Sequence, residues 1–248
     1  IQRFVDELGL KKYDQKDVDW VLLRETACDY MREVLFVSPT KYEMRGKSIS
    51  PLEYLTEMRK HSMDAIINFR IGFNDGKLIE FLEKQFSKEV IKASGLGIIP
   101  AGCFAYPYMV GNEIKYFRIK DPNKIKKFQM PGVNRSKQAI WFNQDVLKED
   151  SEIWVVEGED DVISLWDCGV NAVASCGSVT IQQVEYLKSK NPVCVYSCFD
   201  ADPAGKKDTD VVTRNYLLDN FFVINIPDGK DIDDLIRDFE KDDKTELI

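Results

Sequence analysis

Residues 193–205 read Val193-Cys194-Val195-Tyr196-Ser197-Cys198-Phe199-Asp200-Ala201-Asp202-Pro203-Ala204-Gly205. A largely apolar run stops abruptly at two acids and a Pro-Ala-Gly turn. A strand that is apolar on both faces belongs to a buried parallel sheet, with helices covering it from either side. The flanking sequence agrees. Ile153–Val156 is a short apolar run, followed at helical spacing by Val162, Ile163, Leu165 and Trp166. Ala172–Ala174 is the next strand, and Thr180-x-x-Gln183 caps the helix after it. Residues 203–219 read as a helix and 221–226 as a strand. Strand and helix alternate from residue 151 onward, which specifies a parallel α/β sheet.

Upstream of this sheet the pattern differs. Trp20, Leu23, Ala27, Tyr30, Met31, Val34 and Leu35 recur at helical spacing. Ser50-Pro51-Leu52-Glu53 is a capping box with proline at the first helical position, and its helix runs through Leu55 and Met58. Short helices are expected over 63–69 and 78–86. Ser87 opens another, over 88–93, that Gly95 ends. A hairpin follows, with strands at 104–110 and 114–119 about the turn Gly111-Asn112, and 138–143 reads as one more strand. The fold class is therefore α/β (α+β overall). A helical and mixed subdomain covers residues 1–150, and a parallel-sheet subdomain covers 151–248.

The chain of 248 residues carries 34 Lys+Arg, 42 Asp+Glu and one His, a net charge of −8. That sum points away from a nucleic-acid binder, but it conceals an asymmetry. Residues 111–140 hold 8 basic and 2 acidic groups, whereas 151–248 hold 9 and 21. Six cysteines without a Cys-x-x-Cys pair, beside one histidine, exclude an HExxH metalloprotease and argue against a zinc finger and a Ser-His-Asp triad. His61 reads as a loop residue without a role. The thiols read as reduced and the protein as cytoplasmic. No apolar run approaches the roughly 18 residues that span a bilayer, so no membrane association is expected. No signal peptide opens the chain, which starts at Ile1 as an excised fragment does.

Acids follow the strands in three groups. Glu157 and Asp161 come after Val155-Val156, Asp200 and Asp202 after Cys198-Phe199, and Asp231, Asp233 and Asp234 after the last strand. In an open parallel sheet the carboxyl ends of the strands form the ligand crevice, so these acids are delivered to one edge. Clustered carboxylates repel unless a cation sits among them, and magnesium takes such hard oxygen ligands. Two metal ions can activate a hydroxyl and stabilise a leaving pyrophosphate. Phosphoryl or nucleotidyl transfer is the chemistry this points to. Asp160, Asp208, Asp210, Asp238 and Asp242 read instead as helix-capping or solvated acids.

Three stretches together resemble the Toprim signature: Glu157-Gly158-Glu159-Asp160-Asp161, Phe199-Asp200-Ala201-Asp202-Pro203-Ala204-Gly205 and Gly229-Lys230-Asp231-Ile232-Asp233-Asp234. Toprim domains occur in DnaG-type primases, topoisomerases, RecR-like proteins and some nucleases. Ala172–Ser178 is similar to the primase AVASLGT turn, with Cys176 and Ser178 departing from it. Glu53-Tyr54-Leu55 through Arg70-Ile71-Gly72-Phe73, Ser94-Gly95-Leu96, Tyr106-Pro107-Tyr108 and Lys126-Lys127-Phe128 resemble the primase stretches upstream. The likeness spans roughly residues 50–235. The glutamate of the EGE form resembles phage primase–helicases more than the bacterial EGY form.

The resemblance implies a primase RNA polymerase domain that makes short RNA primers on single-stranded DNA, from ribonucleoside triphosphates, with two Mg²⁺ or Mn²⁺ ions. It implies Glu157 as general acid/base or metal-orienting carboxylate, and Glu157, Asp161, Asp200 and Asp202 as the metal-holding set. Asp231 and Asp233 support them. It implies that Arg118, Lys126, Lys127 and Lys137 contact nucleotide phosphates or template, and that a replicative helicase acts in trans or fused. The family's zinc module and C-terminal helical subdomain are missing from these residues. The chain thus looks like a polymerase domain cut from a longer protein, or a reduced phage-type primase. A Toprim nuclease or topoisomerase fragment, and a non-catalytic nucleic-acid-binding Toprim module, are the alternatives.

Overall fold

The computed structural model describes residues 19–124, 128–129, 140–175, 177–216, 219–227 and 229–238. In chain order the elements begin with helix α1 (Trp20–Val37), strands β1 (Tyr42–Met44) and β2 (Lys47–Ile49), and the helical turn α2 (Pro51–Glu53). The chain continues α2 as a π-helical turn, Tyr54–Met58, then forms α3 (Met63–Asn68) and β3 (Gly72–Asn74). Helices α4 (Leu78–Leu82) and α5 (Lys88–Ser94) lead to strands β4 (Cys103–Val110), β5 (Glu113–Lys120) and β6 (Phe128–Gln129). The remaining elements alternate: β7 (Glu152–Val156), α6 (Glu159–Asp167), β8 (Ala172–Ala174), α7 (Ile181–Ser189), β9 (Cys194–Cys198), α8 (Pro203–Tyr216), β10 (Phe221–Val223) and α9 (Ile232–Asp238). Among the described residues, no helix is long and apolar enough to cross a membrane.

The described residues fall into two compact units that no single cut separates. The first gathers residues up to Tyr54, Arg70–Pro107 and the segment from Glu113. Its sheet has the order β3-β4-β5-β6, and α1 buries Leu23, Ala27, Cys28, Met31 and Leu35. Gly72 is where α1 meets this sheet. A Cβ there would lie 2.6 Å from the Met31 Cβ, so only glycine lets helix and strand approach so closely.

The second unit gathers Leu55–Phe69, Tyr108–Asn112 and the described residues from 140 onward. The sequence reading put one boundary at 150/151, whereas these two upstream segments pack with the parallel sheet. The reason is aromatic. Phe142 stacks on Phe69 with ring centroids 5.4 Å apart and lies 5.3 Å from Tyr108, while Phe69 meets Trp166 edge-on at 6.0 Å. The sheet has the order β10-β9-β7-β8, all parallel. One side of it is a core of Ile153, Val155, Val173, Val195 and Phe199 packed on Val184, Leu187, Val212 and Tyr216 of α7 and α8. The strand expected over 138–143 is, in its described part, one bridge between Phe142 and Ala174, followed by a 3₁₀ turn at Gln144–Val146. The last strand is Phe221–Val223, shorter than the expected 221–226, although the Ile224 N–H still donates to the Ser197 carbonyl at 2.8 Å.

Candidate metal and active site

The register of the parallel sheet fixes where the acids emerge. Val156 of β7 lies opposite Cys198 of β9 and opposite Ala174 of β8. Glu157 therefore leaves the sheet beside Phe199, one residue before Asp200. The first two acid groups share the carboxyl edge of two neighbouring strands. The Cys198 thiol senses this. Burial first, then the carboxylates of Asp161 and Asp200, push it up to about 12.

Each acid has a distinct local fate. Glu157 and Asp200 are half-buried at the strand ends. Asp202 is exposed, and its Oδ1 accepts the N–H groups of Ala204 and Gly205 at 2.8 Å each, which starts α8. Gly205 then passes so near the Asp200 backbone that a Cβ would lie 2.1 Å from its carbonyl oxygen. The Asp-x-Asp-Pro-Ala-Gly run is a folding unit, in which the glycine sets the position of the first acid. Asp161 is buried. Its Oδ2 accepts the Gly158 N–H at 2.8 Å and its Oδ1 accepts the Asp233 N–H at 3.2 Å, so it ties the first acidic turn to the third.

Asp231 opens α9 by accepting the Asp234 N–H at 2.6 Å. Burial, opposed by that hydrogen bond and reinforced by Asp233 and Asp234, raises its carboxyl above the usual range. One carboxylate oxygen from each of Asp231, Asp233 and Asp234 lies within 4.8 Å of the others, and this is the group of that density among the described residues. Yet Asp233 is fully buried and already compensated. Its Oδ1 accepts the Ser164 hydroxyl at 2.6 Å, and its Oδ2 pairs with Arg59 Nη2 at 2.5 Å and Arg237 Nε at 3.0 Å. The cations among these acids are guanidinium groups of the chain itself.

Two acids expected to cap helices or to be solvated are buried. Asp160 is buried, with its Oδ2 3.0 Å from Arg59 Nη2 and its Oδ1 3.6 Å from His61 Nε2. Asp208 is buried and accepts the Val179 N–H at 3.1 Å, which holds the turn after β8 against α8. His61 lies in a loop, as expected, but it is buried there beside Asp160. Glu159, which departs from the EGY form, is fully buried and accepts the Tyr108 hydroxyl at 2.9 Å. Sequence reasoning also passed over Arg59, Ser164 and Arg237. The one local signal was the spacing of Asp233 and Arg237, four residues apart on a helix. Arg118 is half-buried in β5, opposite Gln129 of β6. Lys126, Lys127 and Lys137 lie outside the described residues.

Residues 154–236 match the Toprim-like family. They contain all six acids assigned above. The chain as a whole has the fold of DnaG-type primase catalytic cores. The DNA primase of Listeria innocua is 35% identical over 125 residues, which cover 47% of this chain and 20% of that protein. The DNA primase of Synechococcus elongatus is 27% identical over an alignment covering 87% of this chain and 36% of that protein. The RNA polymerase domain of Mycobacterium tuberculosis primase DnaG superposes with a TM-score of 0.72 at 24% identity, over 92% of this chain and 80% of that one. A DnaG primase catalytic domain bound to single-stranded DNA superposes with a TM-score of 0.67 at 23% identity, over 91% and 78%. The chain spans only a fifth to about a third of the length of these two curated relatives. Glu157, Asp200 and Asp202 emerge at one sheet edge and offer the hard carboxylate oxygens that a divalent cation takes, but among the described residues only Asp231, Asp233 and Asp234 bring such oxygens within 4.8 Å of one another.

Proposed function

We propose that this chain is the catalytic domain of a DNA primase, joining ribonucleotides into short RNA primers on single-stranded DNA by metal-dependent nucleotidyl transfer. The observation that carries the reading is the register of β7 and β9, which brings Glu157 and the Asp200–Asp202 turn to one edge of a Toprim sheet. Glu157, Asp200 and Asp202 would hold the metal, with Asp161 orienting the turn on which Glu157 sits. When bound there, two Mg²⁺ or Mn²⁺ ions would supply activation of a 3′-hydroxyl and neutralisation of the leaving pyrophosphate. Glu157 would take up or return a proton at that hydroxyl or its water. Arg118, Lys126, Lys127 and Lys137 would bind template or nucleotide phosphates. The single-stranded DNA held by the similar DnaG domain supports the choice of template. An RNA primer, a replicative helicase in trans or fused, and a cytoplasmic site of action complete the reading.

The test supplies labelled ribonucleotides, single-stranded DNA and Mg²⁺ or Mn²⁺ to the chain and to its Asp200→Ala variant. Oligoribonucleotide synthesis that disappears with Asp200 is expected. Strand cleavage without synthesis would replace this reading with a Toprim nuclease, and DNA binding with neither activity would leave a non-catalytic binding module.

A further inference from the structure

Arg59 follows the π-helical turn Tyr54–Met58, far in sequence from the Toprim acids, yet its side chain reaches two of them. One nitrogen, Nη2, lies 3.0 Å from Asp160 at the start of α6 and 2.5 Å from Asp233 in α9. The segment carrying it is held at both ends of α6, because the Ser62 N–H donates to Asp167 Oδ2 at 2.9 Å. π-helical turns often mark functional sites, and the widened turn here sends Arg59 toward the acids. We propose that Arg59 is a positioning residue for the candidate metal site. It neutralises Asp160 and Asp233, and through the Asp233 N–H it fixes Asp161 and the Gly158 turn that follows Glu157.

The geometry gives the path. Asp233 can sit fully buried only while Arg59, Arg237 and Ser164 satisfy its two oxygens. Its backbone N–H then meets Asp161 Oδ1, and Asp161 Oδ2 meets the Gly158 N–H. Without Arg59, two buried carboxylates face one another with one cation fewer, and α6 and α9 must separate or rotate to reach water. Either movement turns Asp161 and displaces Glu157. Residues that orient metal-holding groups in this way change metal affinity about 10–100-fold when removed.

The inference rests on the reading of Glu157, Asp200 and Asp202 as metal-holding residues, and the experiment separates the two. Mn²⁺ affinity is measured by calorimetry on the full chain and on Arg59→Gln and Arg59→Lys, with circular dichroism and thermal unfolding alongside. Arg59→Gln is expected to fold and to bind Mn²⁺ about 10–100-fold more weakly. Arg59→Lys, which keeps the charge, is expected to recover part of that loss, with single-stranded DNA affinity unchanged in both. Should Arg59→Gln not fold, Arg59→Lys decides by a several-fold weakening. A folded variant that melts earlier but binds Mn²⁺ as tightly as the unsubstituted chain would overturn the inference and leave Arg59 a purely structural tie. An unsubstituted chain that binds no Mn²⁺ would instead overturn the metal-site reading beneath it.

Discussion

Replacing Gly205 with alanine sets two well-known effects against each other. Gly205 is in the first turn of α8, and alanine there gains up to about 1 kcal/mol of helix propensity. The structure predicts the opposite sign. The new Cβ would lie 2.1 Å from the Asp200 carbonyl oxygen and 2.9 Å from both the nitrogen and the carbonyl carbon of Asp200. All three are backbone atoms, so no side chain can rotate away. Ordinary contact for such atoms is about 3.5 Å, so the helix start and the Asp200 turn must part by about 1 Å or more. Overpacking of this kind costs about 1–3 kcal/mol, which exceeds the propensity gain over most of its range. At about 2–4 °C per kcal/mol for a chain of this size, the melting temperature should fall by several degrees. On the proposed function the cost to activity would be larger, because a misplacement of about 1 Å can slow a reaction about 10²-fold. The assay pairs thermal unfolding with primer synthesis and Mn²⁺ binding. Gly97→Ala is the control, since the atoms nearest its Cβ lie 3.8 and 4.0 Å away. A Gly205→Ala chain that melts at or above the unsubstituted temperature and synthesises normally would refute the packing argument.

Three further outcomes are expected. Ser164→Ala removes the 2.6 Å hydrogen bond to the buried Asp233 carboxylate and should cost about 1.5–3 kcal/mol, read by denaturant unfolding; an unchanged midpoint would contradict that bond. Burial, with the hydrogen bond to Asp75 second, raises the Tyr30 hydroxyl well above its usual range. Its stabilisation is thus complete below about pH 10 and lost as pH rises beyond it, and Tyr30→Phe should flatten the fall in stability between about pH 9.5 and 11. Single-stranded DNA binding should weaken steeply with salt, and neutralising both Lys127 and Lys137 should reduce the log–log slope by about 1.4, at about 0.7 per phosphate contact; a slope that does not move would exclude them from the template track.

Local chemistry was what the sequence displayed well. The capping boxes at Ser50 and Thr180 and the Gly95 terminus are formed as their residues imply, because each is settled within four or five positions. The parallel strands were legible for a similar reason, since burial on both faces leaves a continuous apolar run. The two upstream segments that join the parallel-sheet unit were not. Their attachment depends on Phe69 and Tyr108 meeting Phe142, and aromatic spacing within each segment is equally compatible with a local core.

The acids show most sharply where pattern ends and structure begins. Asp161, Asp202 and Asp233 stand alike in sequence, each beyond a strand and before or within a first helical turn. Asp202 is exposed and spends one oxygen on the start of its helix, so it retains capacity toward solvent. Asp161 spends both oxygens on backbone N–H groups. Asp233 is closed by a hydroxyl and two guanidiniums. The sequence named magnesium as the cation among packed carboxylates, whereas around Asp233 the structure shows guanidinium groups. What composition could not show is that Arg59, 174 residues away from Asp233, supplies one of them. The consequence is a division of labour within one signature. On the proposed function the outer acids at the ends of β7 and β9 would take the metal, and the inner acids, Asp161 satisfied by backbone N–H groups and Asp233 by arginine and Ser164, would hold the outer ones in place. Neutralising an inner acid should therefore act on stability first, and neutralising an outer acid should act on chemistry with the fold intact.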